Sequence, residues 1–599
     1  MTDPRIPGQI IAPQPATTRA APVHLSVDAK GTKVAYTSNK AVYLRSLEDP
    51  SQCIQYTGHK HPTTVAKFSP SGFYVASGDT SGSVRIWGCD TADQILKQEV
   101  KVINGRITDL AWDGESQRII AVGEGKEKWG HAFTYDAGNA VGEIAGHSSV
   151  PNAVAIKSSR PFRAATAGDD GLVVFYHGAP YKYNKSIRRH TTFVYDVKFS
   201  PDGTHLVSVG ADARIFVYDA KTGDDVKELI DEKNCHKGSI FAVSWDPTSK
   251  FILTSSADQS VKVWNVETSK VVMTWDLPED IPVNGQQVGN LWTEKWIVTL
   301  SFSGTLTYLS RDSSSPSQVI RGHQKSLTAL TASRDGHQLY SGSYDTTVYH
   351  WLLDGRKVTG TRLNGNVHSN SILQIVQSDM GAMSIGMDDT LRTIVGSSYQ
   401  ESQSLPAQPK GLGSLANGRY VLATSSNVIV YKGTEKLNQI TVSFAISAAT
   451  ARGNIVALGT EDSSVHVLNG ALEETCVLKS NRAVVTALAI SHDGTKIAVG
   501  DASGKIILYS ASTGEAITTR WAFHVGRISS LEFNATDTKV ISASLDTHVY
   551  VWSTESPSKK IAIKNAHQGG VSGAVWISES RAVSSGSDGA LKIWEDLSF

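Results

Sequence analysis

Cysteine is scarce: Cys53, Cys89, Cys235 and Cys476 are spread over 599 residues with no CxxC pair. That excludes a disulfide framework and a thiolate metal knuckle, and fits a reducing compartment. Charge of one sign is also missing. Acidic and basic residues number 57 each, with no long Lys/Arg run, which argues against a dedicated nucleic-acid binder. No apolar run approaches the roughly 18 residues that span a bilayer. The opening MTDPRIPGQIIAPQPATT lacks a basic stretch followed by an apolar core, so neither membrane insertion nor secretion is expected. The glycosylation-type matches at Asn184 and Asn534 are then chance.

Catalytic and cofactor signatures are missing as well. There is no GxSxG elbow and no P-loop, and the 18 histidines are scattered. Cys235-His236 is an isolated pair and reads as loop. The stretch GEGKEKWG, Gly123 to Gly130, contains GxG without the GxGxxG spacing. In an all-β pattern it has no following helix to receive a phosphate, so it reads as an elongated turn. No catalytic residue, metal or cofactor is expected.

What is present is a repeat, on a background of 51 glycines. An apolar strand is followed by a turn such as S-P-x-G and a second apolar strand ending in small residues. An Asp-containing turn and a strand ending in Trp or Tyr complete the phrase. Clear copies are FAVSWDPTSKFILTSSADQSVKVWN, ending at Asn265, and TVAKFSPSGFYVASGDTSGSVRIWG near 64–88. First strands are expected near 24, 63, 107, 151, 194, 240, 284, 326, 371, 409, 441, 484, 528 and 571. The spacing of about 40 residues is the WD-repeat period of four strands per blade. Fourteen units divide into two seven-bladed rings, since a single fourteen-bladed ring would leave a wide channel unfilled. The fold class is therefore all-β, two tandem seven-bladed WD-repeat β-propellers. Their spans are 23–322 and 323–599, with 1–22 as an N-terminal lead.

An Asp stands six residues before the aromatic in many units: Asp170, Asp212, Asp258, Asp345, Asp546 and Asp588 precede Tyr176, Tyr218, Trp264, Trp351, Trp552 and Trp594. Pairs such as Gly58-His59, Gly146-His147 and Gly322-His323 stand just ahead of a unit. Repeat-locked positions argue for turn capping rather than catalysis. The last unit ends after a third strand, SSGSDGALKIWEDLSF, which would leave an unpaired edge. A strand near 8–12 is expected to pair there, so that both termini close the second ring. The alternative is a loose tail.

Rigid rings present loops, and loops bind partners. Two units depart from the repeat. The third inserts Glu124, Lys126, Glu127, Lys128 and Trp129, and the fourth gathers Arg160, Arg163, Asp169, Tyr181, Tyr183, Arg188, Arg189 and Phe193. Aromatics beside charges are the residue set of protein-interface anchors. Blade packing is the alternative reading of the same aromatics.

The stretches VGEGKEKWGHAF, SSRPFRAATAGDDGLVVFYHGAPYKYNKS and HTTFVYDVKFSPDG resemble the third to fifth repeats of the actin-interacting protein 1 family. RWAFHVGRISSLEF and the opening IIAPQPATTR are similar to the same family. The resemblance implies a monomeric cytoplasmic protein of cortical actin structures. Such a protein binds actin filaments and cofilin, promotes severing and disassembly of cofilin-decorated filaments, and caps barbed ends. Matching motifs carry the family's binding positions to Glu127, Asp169, Tyr183 and Phe193, with Arg160, Arg163 and Tyr181 beside them. Tyr181 and Tyr183 stand where some relatives have Phe. In the second ring, units nine to eleven have poor signatures, with Val395 and Leu468 read at the aromatic position. Two rivals remain open: a WD scaffold of another pathway, and an enzyme using a propeller channel.

Overall fold

The computed structural model describes residues 6–126, 128–378, 381–479 and 481–599. Among these, the strands assemble into fourteen four-stranded antiparallel sheets, and thirteen of them use four strands consecutive in sequence. First strands begin where the repeat predicts, at Thr63, Ile107, Pro151, Val194, Ile240, Ile528 and Val571 among others. The largest discrepancy is the eleventh unit, expected near 441 and beginning at Ile446.

Each blade pairs through alternating residues whose inner side chains pack against the next blade. The small residues of the second strands have a specific purpose. A Cβ on Gly78 would lie 2.7 Å from Ile107 Cγ2, and Gly342 and Gly500 meet Ile372 and Ile528 of the following blades at the same distance. A β-bulge recurs near the start of most first strands, as between Thr63 and Val65 or Ile528 and Ser530. The extra residue raises local twist, which splays the blade from inner to outer strand.

The chain forms two compact units, Gln14–Arg321 and residues up to Pro13 with Gly322–Phe599. In the first, all seven sheets are contiguous in sequence. Its ends meet where Val23 N donates to Val288 O at 2.8 Å and Lys295 pairs with Glu48 at 2.6 Å. Residues 14–22, read from sequence as lead, belong to this unit, and Ala16 N donates to Thr37 O at 2.9 Å. Its inner strands enclose a buried charge cluster. His24 lies 3.9 Å from Asp109 and 3.7 Å from Asp196, while Lys67 and Lys198 contact the same carboxylates at 3.4 and 2.6 Å.

The second unit closes differently. The N-terminal strand Gln9–Ile11 pairs antiparallel with Leu591–Trp594, matching Gln9 to Ile593 and Ile11 to Leu591. It completes the last blade, so the two ends of the chain clasp this ring. Ile11 packs on a core of Leu327, Trp351, Val583, Leu591 and Ile593, which joins the last blade to the first of the ring.

Candidate functional site

Successive strands of a blade run in opposite directions. First-to-second and third-to-fourth turns therefore lie on one face of a ring. Second-to-third turns and blade-to-blade connections lie on the other, here called the crossover face.

The recurring Asp and His residues form buried relays just beneath the crossover face. In the thirteenth blade the Trp552 indole donates to Ser542 Oγ at 2.8 Å, Ser542 and His524 Nε2 are 2.9 Å apart, and His524 Nδ1 reaches Asp546 at 2.9 Å. The same chain runs through Trp594, Ser584, His567 and Asp588, and through Trp87, Ser77, His59 and Asp79. The consistent proton order is indole to hydroxyl, hydroxyl to Nε2, and Nδ1–H to carboxylate. Burial would raise the Asp546 carboxyl, but the bond from His524 and the amides of His548 and Val525 hold it at about 2. Burial pushes the His567 and His236 imidazoles below their ordinary value, so both are neutral near pH 7.

Ser, His and Asp in this order have the connectivity of a hydrolytic triad. The hydroxyls of Ser77, Ser542 and Ser584 are fully buried and already accept an indole N–H, so no carbonyl can approach them. The relays are structural. Among the described residues, no group of three or more His, Cys, Asp or Glu is placed to hold a metal ion.

Sequence pattern missed part of this set. His236, read as loop, is the relay histidine of the sixth blade, bonded to Asp258 and Thr254 at 3.0 and 2.8 Å. His190, His368, His524 and His567 act likewise without a preceding glycine. Asp79 was missed because it stands eight residues before its aromatic rather than six. In the ninth blade the aromatic position is filled by Ile394, fully buried, and not by Val395, which is exposed. The Tyr399 ring of the outer strand packs edge-on against His368 in its place, at 5.8 Å.

The predicted interface residues separate into groups. Asp169 and Phe193 lie on the crossover face of the first ring. Asn152 Nδ2 donates to Asp169 Oδ1 at 2.7 Å and to Val194 O at 3.1 Å, tying the two loops together. The carbonyl of Asn152 in turn accepts His24 Nε2 at 2.9 Å, anchoring the array to the ring axis. Phe193, 47% exposed, ends an aromatic ladder with Tyr195 at 6.4 Å and Phe241 a further 5.0 Å away. Burial, and then the Asp169 charge, raise the Tyr195 phenol.

Connection 144–150 supports the rest of this surface. Tyr183, 51% exposed, lies over Gly146, where φ is +104° and a Cβ would stand 2.8 Å from the ring. Trp129 of the elongated GEGKEKWG turn donates its indole N–H to His147 O at 3.0 Å. Asp169 N donates to Val150 O at 2.9 Å. Glu127 lies outside the described residues.

Three predicted residues do not belong to this surface. Tyr181 is 1% exposed and packs with Ile156, Phe162 and Tyr176 in the core between the third and fourth blades. Arg160 and Arg163 flank the first-to-second turn on the opposite face. Arg160 pairs with Glu115 at 2.8 Å with its guanidinium over Phe162, and Arg163 donates to Lys221 O at 2.8 Å.

A family description, WD domain G-beta repeat, matches residues 51–88, 181–219, 227–265, 314–351, 516–553 and 558–595. The description Vps8 beta-propeller matches 434–525. An uncharacterized WD repeat-containing protein of Schizosaccharomyces pombe is 45% identical over 593 residues, covering 97% of this chain and 98% of its own. Actin-interacting protein 1 of Drosophila melanogaster is 35% identical over 596 residues, 98% of this chain and 97% of its own. WD repeat-containing protein 1 of Gallus gallus is 35% identical over 603 residues, 98% of each. This chain belongs to the WD-repeat family of actin-interacting protein 1 and WD repeat-containing protein 1.

Proposed function

We propose that this protein is a non-enzymatic, monomeric scaffold that binds actin filaments and cofilin and promotes severing and disassembly of cofilin-decorated filaments. In this reading it also caps the barbed ends produced, and it works in the cytoplasm on cortical actin structures. The observation that carries the reading is the array of Asp169, Tyr183 and Phe193 on the crossover face of the first ring. Two half-exposed aromatics lie there beside a carboxylate that Asn152 fixes in place. Full-length kinship to a protein named for interaction with actin supports the identity of the partner. The aromatics supply buried contact area, and the carboxylate sets orientation and on-rate against a basic partner. Higher affinity for the cofilin-altered filament than for the bare one would shift filaments toward the altered state and lower the barrier to breakage.

The test is sedimentation of preformed filaments with this protein, with cofilin, and with both. Loss of pelletable actin only when both are present is expected. Phe193→Ala, and charge reversal at Asp169 or Glu127, weaken that loss. An unchanged pellet, with this protein in the supernatant of every mixture, overturns the reading and leaves the two-propeller scaffold without this partner.

A further inference from the structure

The crossover face of the second ring carries large apolar side chains that no blade buries. Val525 is 85% exposed, Tyr344 68%, Leu545 51% and Phe523 50%. Loop 522–527 and the neighbouring turn form one unit, because Leu545 N donates to Arg527 O at 3.1 Å and Val525 N to Asp546 at 3.0 Å. The surface continues across the last blade. Gly570 abuts Leu545, Ser587 N donates to Gly570 O, Ser326 Oγ donates to Ser587 O, and Tyr344 N donates to Ser326 O.

The Lys560 ammonium sits 3.5 Å from the Phe523 ring centroid. Arg527 belongs to the same loop as Val525, Lys325 directly precedes Ser326, and Lys564 directly follows the outer strand Lys560–Ile563. Carboxylates on the same turns are used internally. Asp546 accepts from His524, Val525 and His548, Asp345 from Thr347, and Asp588 from His567. The Asp546 and Asp588 side chains are almost wholly buried, so they do not offset the cationic groups beside the apolar tip.

We infer that this face is a peripheral docking site for an anionic lipid bilayer. A protruding aliphatic tip flanked by aromatics and long basic side chains is the residue mix of an interfacial contact. Apolar groups enter the headgroup boundary, lysine stems snorkel, and their charges meet acidic headgroups. An acidic protein partner would be expected to meet a flush, complementary patch rather than a tip this exposed. Such a contact needs no membrane-spanning segment.

The experiment is flotation of the full-length protein with vesicles of phosphatidylcholine alone, or with about one-third phosphatidylserine. Flotation is expected only with the anionic vesicles and falls as salt rises. Val525→Asp abolishes it with an unchanged melting curve, and Lys560→Glu and Lys564→Glu each weaken binding about fivefold. Absence of flotation overturns the inference, as does flotation that survives Val525→Asp, which would be nonspecific adsorption. Val525-dependent binding to polyglutamate without flotation would make this a protein-docking surface and equally overturn it.

Discussion

A blade holds its shape through a few buried polar atoms, and small differences among them have measurable consequences. Asp546 accepts from an imidazole and two backbone amides, whereas among the described residues Asp345 accepts from Thr347 N and Oγ1, and His323 Nδ1 contacts Thr347 Oγ1 at 3.1 Å. Asn in place of Asp546 presents an N–H₂ to groups that are themselves donors. Asp546→Asn is therefore expected to cost about 2 kcal/mol and Asp345→Asn less than about 1 kcal/mol in denaturant unfolding. Equal costs would refute the assignment. Glu532 behaves in the opposite sense. Burial lifts its carboxyl from 4.5 to about 7, against the bond from Trp576 N and the charge of Arg452. The folded state thus binds this proton more tightly than the unfolded chain. Its contribution is fully present below about pH 4.5 and is lost as pH rises through 7, by roughly 3 kcal/mol. Glu532→Gln should match the parent at acid pH and exceed it in stability near pH 8. A constant difference between the two pH values would show that the carboxyl titrates normally.

At the scale of elements, the closing strand is a short segment with a large structural duty. It covers the edge of Leu591–Trp594, whose Leu591, Ile593 and Trp594 are almost fully buried. Deleting residues 1–11 removes Ile10 and Ile11 from the blade, a loss of about 2–4 kcal/mol to the second ring. It also exposes a strand edge prone to pair with other copies. Amides of 591–594 should lose hydrogen-exchange protection and light scattering should rise, while the first ring, built from contiguous blades, keeps its protection. Unaltered exchange in 591–594 would show the clasp to be dispensable. That strand was legible in sequence because a missing fourth strand and an unassigned apolar triplet complemented each other. Strand starts were legible because alternating apolar residues and the Asp-to-aromatic spacing repeat. The phrase fades where chemistry is substituted, as where Ile394 and Tyr399 together replace one aromatic. The histidines stayed hidden because a relay needs only an imidazole at the right depth, not a glycine before it.

For the whole molecule, the informative division is between two faces that sequence proximity conceals. Arg163 and Asp169 are separated by one six-residue strand, Arg163–Gly168, which at about 3.3 Å per residue carries the chain roughly 20 Å from one face to the other. Tyr181 and Tyr183 would share a side if both lay in a strand. The strand begins at Lys182, so the turn before it directs Tyr181 inward and leaves Tyr183 outside. Local composition therefore singled out one blade and could not assign faces within it. The proposed partner makes this division testable. If filaments engage the crossover face of the first ring, Asp169→Lys and Phe193→Ala should each weaken cofilin-dependent loss of pelletable actin at least about tenfold, as expected for interface anchors. Arg160→Ala and Arg163→Ala, equally charged in origin and only a strand away, should leave it within about twofold, because exposed ion pairs and surface bonds of this kind contribute little. Melting curves separate misfolding from lost contact in all four variants. The reverse pattern, with the arginines sensitive and Phe193 indifferent, would place the partner on the opposite face of the ring.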